Sequence, residues 1–300
     1  MIGAGLFRRA PVLMFGLGAT RTGTSWLNDY LTRHPQCSLR EIKEAHYFDA
    51  IERGTVDFQL RQLAERRETL VARRAEPGKA ADRARLERRI AAHDELMALL
   101  AGRTWNDAAY MAYLTRNAGR ARLVGDITPA YALLSVETLR RMAGLAEQVR
   151  FVYILRDPVQ RLWSNIRQTL PMRVAARNDP GRTALRIFDR WAEGGEPELA
   201  VRCDYSGALE RMGRAIPAGN LLVLFYETLF RPDTLTQLCD FLGIRTLAGN
   251  TERRVHASEP LPLDPARLQL ARDRLAPQYD FVRDRFGILP PGWDAPVMKV

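Results

Sequence analysis

The segment over residues 16–25 constrains this chain most, because it places glycines and hydroxyl side chains between two regular elements. It reads Gly-Leu-Gly-Ala-Thr-Arg-Thr-Gly-Thr-Ser, follows an apolar run at residues 11–15 and precedes an amphipathic stretch at residues 26–34. A buried strand that turns through such a loop into a helix directs backbone N–H groups and the positive end of the helix dipole into the loop. The segment therefore predicts an anion site of the kind that cradles phosphate.

The glycines of this loop have the spacing of the nucleotide-binding motif G-x-x-x-x-G-K-[ST], but the basic residue of the loop is not at the lysine position of that motif. Thr24 occupies the lysine position, and the basic residue, Arg21, lies inside the loop. We expect the anion site to be kept, with Arg21 at a terminal anionic group, hydrogen bonds from residues 22–25, and Trp26 offering a flat face for a base. An ordinary strand–turn–helix with a core tryptophan is the alternative.

Composition limits the classes of function. The chain has 300 residues, 46% hydrophobic and 27% charged, which is typical of a globular protein with an ample core. Its three cysteines form no Cys-x-x-Cys pair and its four histidines are scattered, so we expect no disulfide framework, no metal site and a cytoplasmic location. No apolar run is long enough for a membrane span, and the run after Arg8 and Arg9 indicates a strand, not a signal peptide.

Five apolar segments predict buried strands: residues 11–17, 37–39, 122–125, 150–155 and 221–226. Helical patterns separate them. This alternation predicts a three-layer α/β/α fold like that of P-loop NTPases, with a mostly parallel sheet of about five strands. Since such sheets bind ligands at the carboxyl ends of their strands, functional residues should directly follow strands.

We predict one domain over residues 1–300, with a helical insertion over about 56–118 and a C-terminal helical tail over about 265–288. Residues 58–102 form a helical hairpin in this prediction, broken at residues 76–78. The formal charge is +10, and residues 61–90 hold ten basic and five acidic side chains. No nucleic-acid-binding motif accompanies this charge, so we expect an anionic small molecule and no nucleic acid. The hairpin is either a solvated face or a platform for an acidic acceptor or a partner subunit, which leaves a homo-oligomer open.

The segment after the second strand, residues 41–49, places Lys43, Glu44 and His46 close together in sequence. A carboxylate beside a phosphate site can take a proton from an acceptor hydroxyl. Glu44 is therefore the candidate base and His46 the second choice. A surface charge cluster is the alternative.

Two later strands also end in residues with chemistry. Arg156 leaves the fourth strand, and Ser164 lies about two turns into the helix that follows. An arginine and a serine that converge on one anion suit a phosphate monoester, unless Arg156 pairs with a carboxylate instead. Tyr226 ends the last strand, where it either packs on a base or fills the core.

Two separated anion sites, one terminal and one for a monoester, describe 3′-phosphoadenosine 5′-phosphosulfate (PAPS) better than ATP. Over about residues 13–286 the chain resembles the PAPS-dependent sulfotransferases. Arg-Thr-Gly-Thr-Ser-Trp at 21–26 is similar to their 5′-phosphosulfate loop, Arg156 and Ser164 match their 3′-phosphate pair, and Leu-Phe-Tyr-Glu at 224–227 is similar to a segment near adenine. Residues 253–256 fall about where their C-terminal phosphate-binding loop lies. The resemblance implies these cofactor-binding residues: Arg21, Thr22, Gly23, Thr24, Ser25, Trp26, Arg156, Ser164, Tyr226, Arg253 and Arg254.

Lys-Glu-x-His-x-Phe-Asp at 43–49 resembles the heparan sulfate sulfotransferases, in which the glutamate is the base. This implies Glu44 as the base, with Lys43, His46 and Asp49 as its neighbours, and slightly favours a carbohydrate over another small-molecule acceptor. The candidate catalytic residues are then Glu44, Lys43, His46 and Arg21, the last of which replaces the lysine of the phosphosulfate loop. Gly-Asp-Ile-Thr-Pro-Ala-Tyr at 125–131 is similar to their Glu-Lys-Thr-Pro segment, but Ile127 stands where they have a catalytic-site lysine. PAPS would be the co-substrate and 3′-phosphoadenosine 5′-phosphate (PAP) the product, with no metal required.

Two other functions stay open. A P-loop kinase or NTPase would keep Ser25 to hold magnesium but lacks the loop lysine. A non-catalytic protein that binds polyanions would use the basic hairpin as its binding surface.

Overall fold

The computed structural model describes residues 10–76, 79–173, 179–248 and 263–294. Its sheet has five strands, all parallel, in the order β2-β3-β1-β4-β5. The strands are β1 (Val12–Gly18), β2 (Cys37–Leu39), β3 (Leu123–Ile127), β4 (Val149–Leu155) and β5 (Leu221–Phe225). The predicted parallel sheet is confirmed, with every strand end within two residues of its predicted position.

The helices follow the strands and also fill the long connections between them. In chain order they are α1 (Thr24–Arg33), α2 (Tyr47–Glu52), α3 (Val56–Ala75), α4 (Ala80–Leu100), α5 (Asp107–Thr115), α6 (Val136–Ala143), α7 (Pro158–Arg173), α8 (Pro180–Ala192), α9 (Pro197–Val201), α10 (Tyr205–Ala215), α11 (Pro232–Leu242) and α12 (Pro265–Phe286). Short 3₁₀ helices cover Pro129–Leu133 and Ala218–Asn220. In the part of the chain described, no helix is long and apolar enough to cross a membrane.

The sheet separates two apolar cores, because alternate residues of a strand point to opposite faces. Phe15 and Phe151 face the larger core, which α2 to α10 and α12 cover. Met14 and Val152, their sequence neighbours, face the smaller core under α1 and α11. Both faces of the central strands are therefore buried, which gives the expected three layers.

The predicted hairpin consists of α3 and α4. Leu63 of α3 and Leu96 and Leu100 of α4 are buried in the larger core. Leu70, further along α3, is also buried. Residues 72–76 and 79–85, at its far end, are all exposed. The basic side chains predicted on this hairpin therefore lie largely in solvent.

Gly125 lies at the tightest contact of the central sheet. A Cβ atom there would be 2.5 Å from the carbonyl oxygen of Met14 on the paired strand β1, and backbone cannot move aside cheaply. We expect Gly125→Ala to lower the free energy of unfolding by roughly 1–3 kcal/mol, measured by denaturant titration. The matched control is Gly213→Ala in α10, where a Cβ would meet nothing within 4 Å. That change should raise stability by about 0.5–1 kcal/mol, and equal effects of the two would contradict the packing argument.

Candidate active site

The carboxyl edge of the sheet gathers the segments that the sequence singled out. The loop after β1, the segment at residues 40–46 after β2, and the residues that follow β3, β4 and β5 all lie along this edge, because every strand runs in the same direction. It is the edge at which parallel α/β sheets bind ligands.

The loop after β1 is built to present backbone N–H groups. Helix α1 begins at Thr24, and its first backbone hydrogen bond runs from Leu27 N to the carbonyl of Gly23. The backbone N–H groups before Leu27 therefore have no acceptor within the helix and can bind a ligand. Gly23 has a φ of 90°, and a Cβ on it would lie 2.9 Å from Leu229. Glycine is therefore required here. The hydroxyl of the buried Thr22 donates to the Ala19 carbonyl at 2.7 Å and shapes the loop from inside.

Arg21, Arg156 and Ser164 meet in one crevice beside this loop. Arg21 Nε donates to Ser164 Oγ at 2.9 Å, and Arg156 Nη1 donates to the Arg21 carbonyl at 3.1 Å. The Arg156 guanidinium also lies 4.5 Å from the ring centroid of Tyr226. Within the described residues, the side-chain hydrogen bond of Arg156 goes to Gln160 and no carboxylate pairs with it. The crevice thus collects positive charge from the ends of β1 and β4.

Arg167 adds a third cation that sequence reasoning missed. Burial lowers the pKa of Arg21, and the charges of Arg156 and Arg167 lower it further. Burial and Arg156 likewise lower the pKa of Arg167. Like charges that lower one another's pKa in this way favour the approach of an anion. The spacing could have indicated Arg167, because it lies three residues after Ser164 on α7 and so shares its helix face.

The aromatic residues at the crevice differ in exposure. Trp26 is buried, with its ring stacked on Tyr30 at 5.4 Å and met edge-on by Phe230 at 5.1 Å. It therefore offers less free ring face than the sequence suggested. Tyr226 is half-buried between Arg156 and Phe230. Contacts of Trp26 and Tyr226 with a base stay predictions.

The segment after β2 holds a chain of charged groups. Lys43 Nζ contacts Glu44 Oε1, Glu44 Oε2 lies 3.6 Å from His46 Nε2, and His46 Nδ1 is hydrogen-bonded to Asp49 Oδ2 at 2.8 Å. Burial alone would raise the pKa of Glu44, but His46 and Lys43 outweigh it and lower that pKa to about 2. Burial would lower the pKa of His46, but Asp49 and Glu44 raise it to about 9. Near pH 7 Glu44 is therefore a carboxylate and His46 carries a proton.

The turn at residues 44–46 is strained, and a buried carboxylate, Asp126, accepts a hydrogen bond from its backbone. Glu44 and His46 have φ values of 66° and 51°, the left-handed region that non-glycine residues rarely adopt. Between them, the backbone N–H of Ala45 donates to Asp126 at 3.5 Å. Burial raises the pKa of Asp126, while its hydroxyl hydrogen bonds oppose that shift. Those bonds come from Thr128 at 2.8 Å, Tyr131 at 2.7 Å and Tyr110 at 2.9 Å.

The sequence singled out Ile127, next to this carboxylate, as the replacement for a lysine. The structure places Ile127 in the smaller core, where it is 1% exposed and lies against Gly16. Asp126 is the polar side chain of that pair. The sequence did not identify it, because its contact with the backbone of Ala45 joins two segments that are far apart in sequence.

Comparisons with known proteins agree with this geometry. The sequence profile of the sulfotransferase family matches residues 13–247. The chain belongs to the sulfotransferase family. A comparison with curated protein sequences finds no significant match.

Solved sulfotransferases share the fold of this sulfotransferase. One from Alicyclobacillus acidocaldarius has a TM-score of 0.63 at 18% identity and covers 95% of this chain and 100% of its own. The sulfotransferase domain from the curacin biosynthetic pathway has a TM-score of 0.50 at 18% identity. The match covers 94% of this chain and 100% of that domain. At these identities the likeness shows the fold alone.

Two predicted cofactor residues of this sulfotransferase, Arg253 and Arg254, lie outside the described residues. Within the described ranges, no group of three or more His, Cys, Asp or Glu side chains is placed to hold a metal ion. Cys37, Cys203 and Cys239 are all free thiols.

The charge on His46 should make the stability of the sulfotransferase depend on pH. Its pKa is raised from 6.5 to about 9 in the folded state, so its stabilisation is complete below about pH 6.5 and is lost as the pH rises through about 9. We expect His46→Gln to cost roughly 1–3 kcal/mol of unfolding free energy near pH 6 and little near pH 10. Denaturant titrations at both pH values measure this.

Asp49→Asn is the companion variant, because Asp49 raises the pKa of His46 through its hydrogen bond. It should weaken the same pH dependence. The lowered pKa of Glu44 acts in a separate window, since its contribution is lost only as the pH falls from about 4.5 toward 2. A cost of His46→Gln that stayed constant from pH 6 to 10 would contradict the charged state assigned to His46.

Proposed function

We propose that this sulfotransferase moves the sulfuryl group of PAPS to the hydroxyl of an acceptor and releases PAP. The observation that carries the proposal is the crevice in which Arg21, Ser164 and Arg156 meet beside the loop after β1. A dense group of cations with N–H groups at a helix start suits a ligand with two separate phosphate-type groups.

Each part of the crevice has a role in this proposal. The loop N–H groups and Arg21 would hold the 5′-phosphosulfate. Arg156 and Ser164, joined by Arg167, would hold the 3′-phosphate, and Arg253 and Arg254 would add to it. Trp26 and Tyr226 would contact the adenine. The Arg21–Ser164 hydrogen bond joins a residue of each proposed phosphate site, which would fix the two sites relative to each other.

The proposed transfer is in line. The acceptor oxygen forms a bond to sulfur while the bond from sulfur to the 5′-phosphate oxygen breaks, and Glu44 takes the hydroxyl proton. Arg21, Lys43 and the loop N–H groups stabilise the charge that develops on the leaving phosphate oxygen. Positioning and fixed positive charge supply most of the rate enhancement, as in phosphoryl transfer. These cations would stabilise the negative charge that a metal ion stabilises in phosphoryl transfer.

Lys43 would couple cofactor binding to the strength of this base. Without a ligand, Lys43 contacts Glu44 and helps to lower its pKa to about 2, which makes a weak base. If the phosphosulfate attracts Lys43 away, the pKa of Glu44 would rise, while the hydrogen bond to His46, the largest cause that lowers it, stays in place. Glu44 would therefore be a stronger base once the sulfuryl donor is bound. His46 holds a proton near neutral pH, which ranks it second.

A carbohydrate hydroxyl is the acceptor that we favour, on the resemblance of residues 43–49 to the heparan sulfate enzymes. Other hydroxyl-bearing small molecules are the alternatives. The three free cysteines suit a reducing compartment such as the cytoplasm.

The test is a comparison of nucleotides by titration calorimetry, followed by a transfer assay. We expect PAP to bind at least 100-fold more tightly than ATP with magnesium, and ³⁵S-labelled PAPS to give labelled products with a panel of hydroxyl compounds. Preferential binding of ATP would indicate a P-loop kinase or NTPase. Salt-sensitive polyanion binding that persists in the double variant Arg21→Ala/Arg156→Ala, without transfer, would indicate a binding protein.

A further inference from the structure

A short turn between α9 and α10, at residues 202–205, bonds to two segments of the crevice that would hold the cofactor. Arg202 Nη1 donates to Thr20 Oγ1, in the loop after β1, at 3.3 Å. The hydroxyl of Tyr205 donates to the carbonyl of Arg156, the residue after β4, at 2.7 Å. This one turn therefore contacts the segments proposed for both ends of PAPS.

The bond from Tyr205 to Arg156 is the shorter and the more deeply buried of the two. Tyr205 is 0% exposed, whereas the side chain of Arg202 is 25% exposed. Water therefore has little access to the Tyr205 hydroxyl. The loss of a buried hydrogen bond costs free energy, so this bond constrains the backbone at Arg156.

Both peptide groups that flank Arg156 are fixed by hydrogen bonds. The carbonyl of the peptide group before it accepts from Tyr226 N at 2.8 Å. The peptide group after it is held at both ends, because its N–H donates to Glu227 Oε1 at 3.0 Å and its carbonyl accepts from Tyr205. The Arg156 side chain therefore starts from a set position, and its guanidinium lies 4.5 Å from the Tyr226 ring centroid.

Two helices fix the position of the turn itself. Cys203 Sγ accepts a hydrogen bond from Arg161 Nη2 of α7 at 2.7 Å, and Arg161 is 0% exposed. Gln278 Oε1 of α12 accepts from the backbone N–H of Tyr205 at 2.8 Å. The Tyr205 hydroxyl is therefore held in place by the fold, independently of any ligand.

We propose that Tyr205 is a positioning residue for the 3′-phosphate of the cofactor, acting through Arg156, and that Arg202 supports the 5′ end through Thr20. This inference rests on the proposed function and adds a specificity determinant to it. Tyr205 touches no ligand in this proposal. A guanidinium that is fixed before the ligand arrives loses less conformational entropy on binding, so Tyr205 should favour nucleotides that carry a 3′-phosphate.

The test measures, by titration calorimetry, the Kd for PAP and for adenosine 5′-monophosphate, which lacks the 3′-phosphate. Tyr205→Phe keeps the ring and removes the hydroxyl. We expect it to raise the Kd for PAP by roughly tenfold, the upper weight of one hydrogen bond, and that for adenosine 5′-monophosphate by less than about twofold. Arg202→Gln should instead weaken the binding of both nucleotides by roughly threefold, because its bond to Thr20 supports the 5′ end.

The matched control removes the hydroxyl of another buried tyrosine. Tyr113 of α5 is 6% exposed, and its hydroxyl has no hydrogen-bond partner among the described residues. Tyr113→Phe should therefore leave the Kd of both nucleotides as in the wild type.

A double-mutant cycle separates positioning from a general loss of structure. In the Arg156→Gln background, Tyr205→Phe should no longer change the Kd for PAP, because the guanidinium that it positions is absent. Gln278→Ala loosens Tyr205 from the side of α12 and gives a second variant if Tyr205→Phe does not fold. It should weaken PAP binding selectively, and Gln278→Glu, which keeps the accepting oxygen, should restore most of that binding.

Three results would overturn the inference alone: an unchanged Kd for PAP in Tyr205→Phe, an equal weakening of both nucleotides by Tyr205→Phe or Gln278→Ala, or a Tyr205→Phe effect that persists in the Arg156→Gln background. Each would reduce Tyr205 to a residue of the fold. Failure of the wild type to bind PAP is a different result, since it would refute the proposed function and this inference together.

Discussion

Glu44→Gln is expected to lower kcat by roughly 10²–10⁴-fold, the usual weight of a general base, and to leave the Kd for PAP within about threefold. Glutamine keeps the size and one oxygen of glutamate but cannot take a proton. The hydrogen bonds that join Arg21, Ser164 and Arg156 in the cofactor crevice do not involve Glu44. Binding and turnover should therefore separate, and calorimetry with PAP beside the ³⁵S assay measures both.

Two companion variants make the result specific. Glu41→Gln changes an exposed glutamate three residues away and should leave turnover unchanged. His46→Gln tests the second candidate base: we expect a smaller loss, since His46 carries a proton near pH 7 and serves to orient Glu44. A full loss in His46→Gln together with near-normal turnover in Glu44→Gln would move the base to His46.

The fold and the crevice could be predicted because both depend on local patterns. Apolar runs predicted the five strands, and the direction of parallel strands then required the loop after β1 and Arg156 after β4 to share one edge of the sheet. Ser164 followed from helix periodicity. These inferences need only the chain direction and the repeat of each element.

The rest could not be predicted, because it depends on distances between elements far apart in sequence. Asp126 holds the turn after β2 through the backbone N–H of Ala45, which is 81 residues away in sequence. Arg202 reaches Thr20 across a separation of 182 residues. Trp26 was expected to offer a flat face for a base, but Phe230, which follows β5, meets its ring edge-on. Residue type indicates chemistry in each case, but only packing decides which face is left open.

Arg156→Gln is expected to raise the Kd for PAP by about 100-fold, since a guanidinium–phosphate contact contributes roughly 1.5–3 kcal/mol per charge-assisted hydrogen bond. The Arg156 side chain is prepared for this contact. Its ring partner Tyr226 and the Arg21 carbonyl fix the guanidinium, and its Nε has no hydrogen-bond partner among the described residues. Calorimetry with PAP measures the change.

A second nucleotide locates the lost contact. Adenosine 5′-monophosphate lacks the 3′-phosphate, so its Kd should change by less than about threefold in Arg156→Gln. Arg21→Gln, in contrast, should weaken the binding of both nucleotides. Arg150→Gln is the matched control, because Arg150 lies near the start of β4, against Asn220 and the Phe241 carbonyl, whereas Arg156 follows the other end of that strand. If Arg156→Gln weakened the binding of both nucleotides equally, Arg156 would contact the 5′-phosphate. The assignment of the two phosphate sites would then have to be reversed.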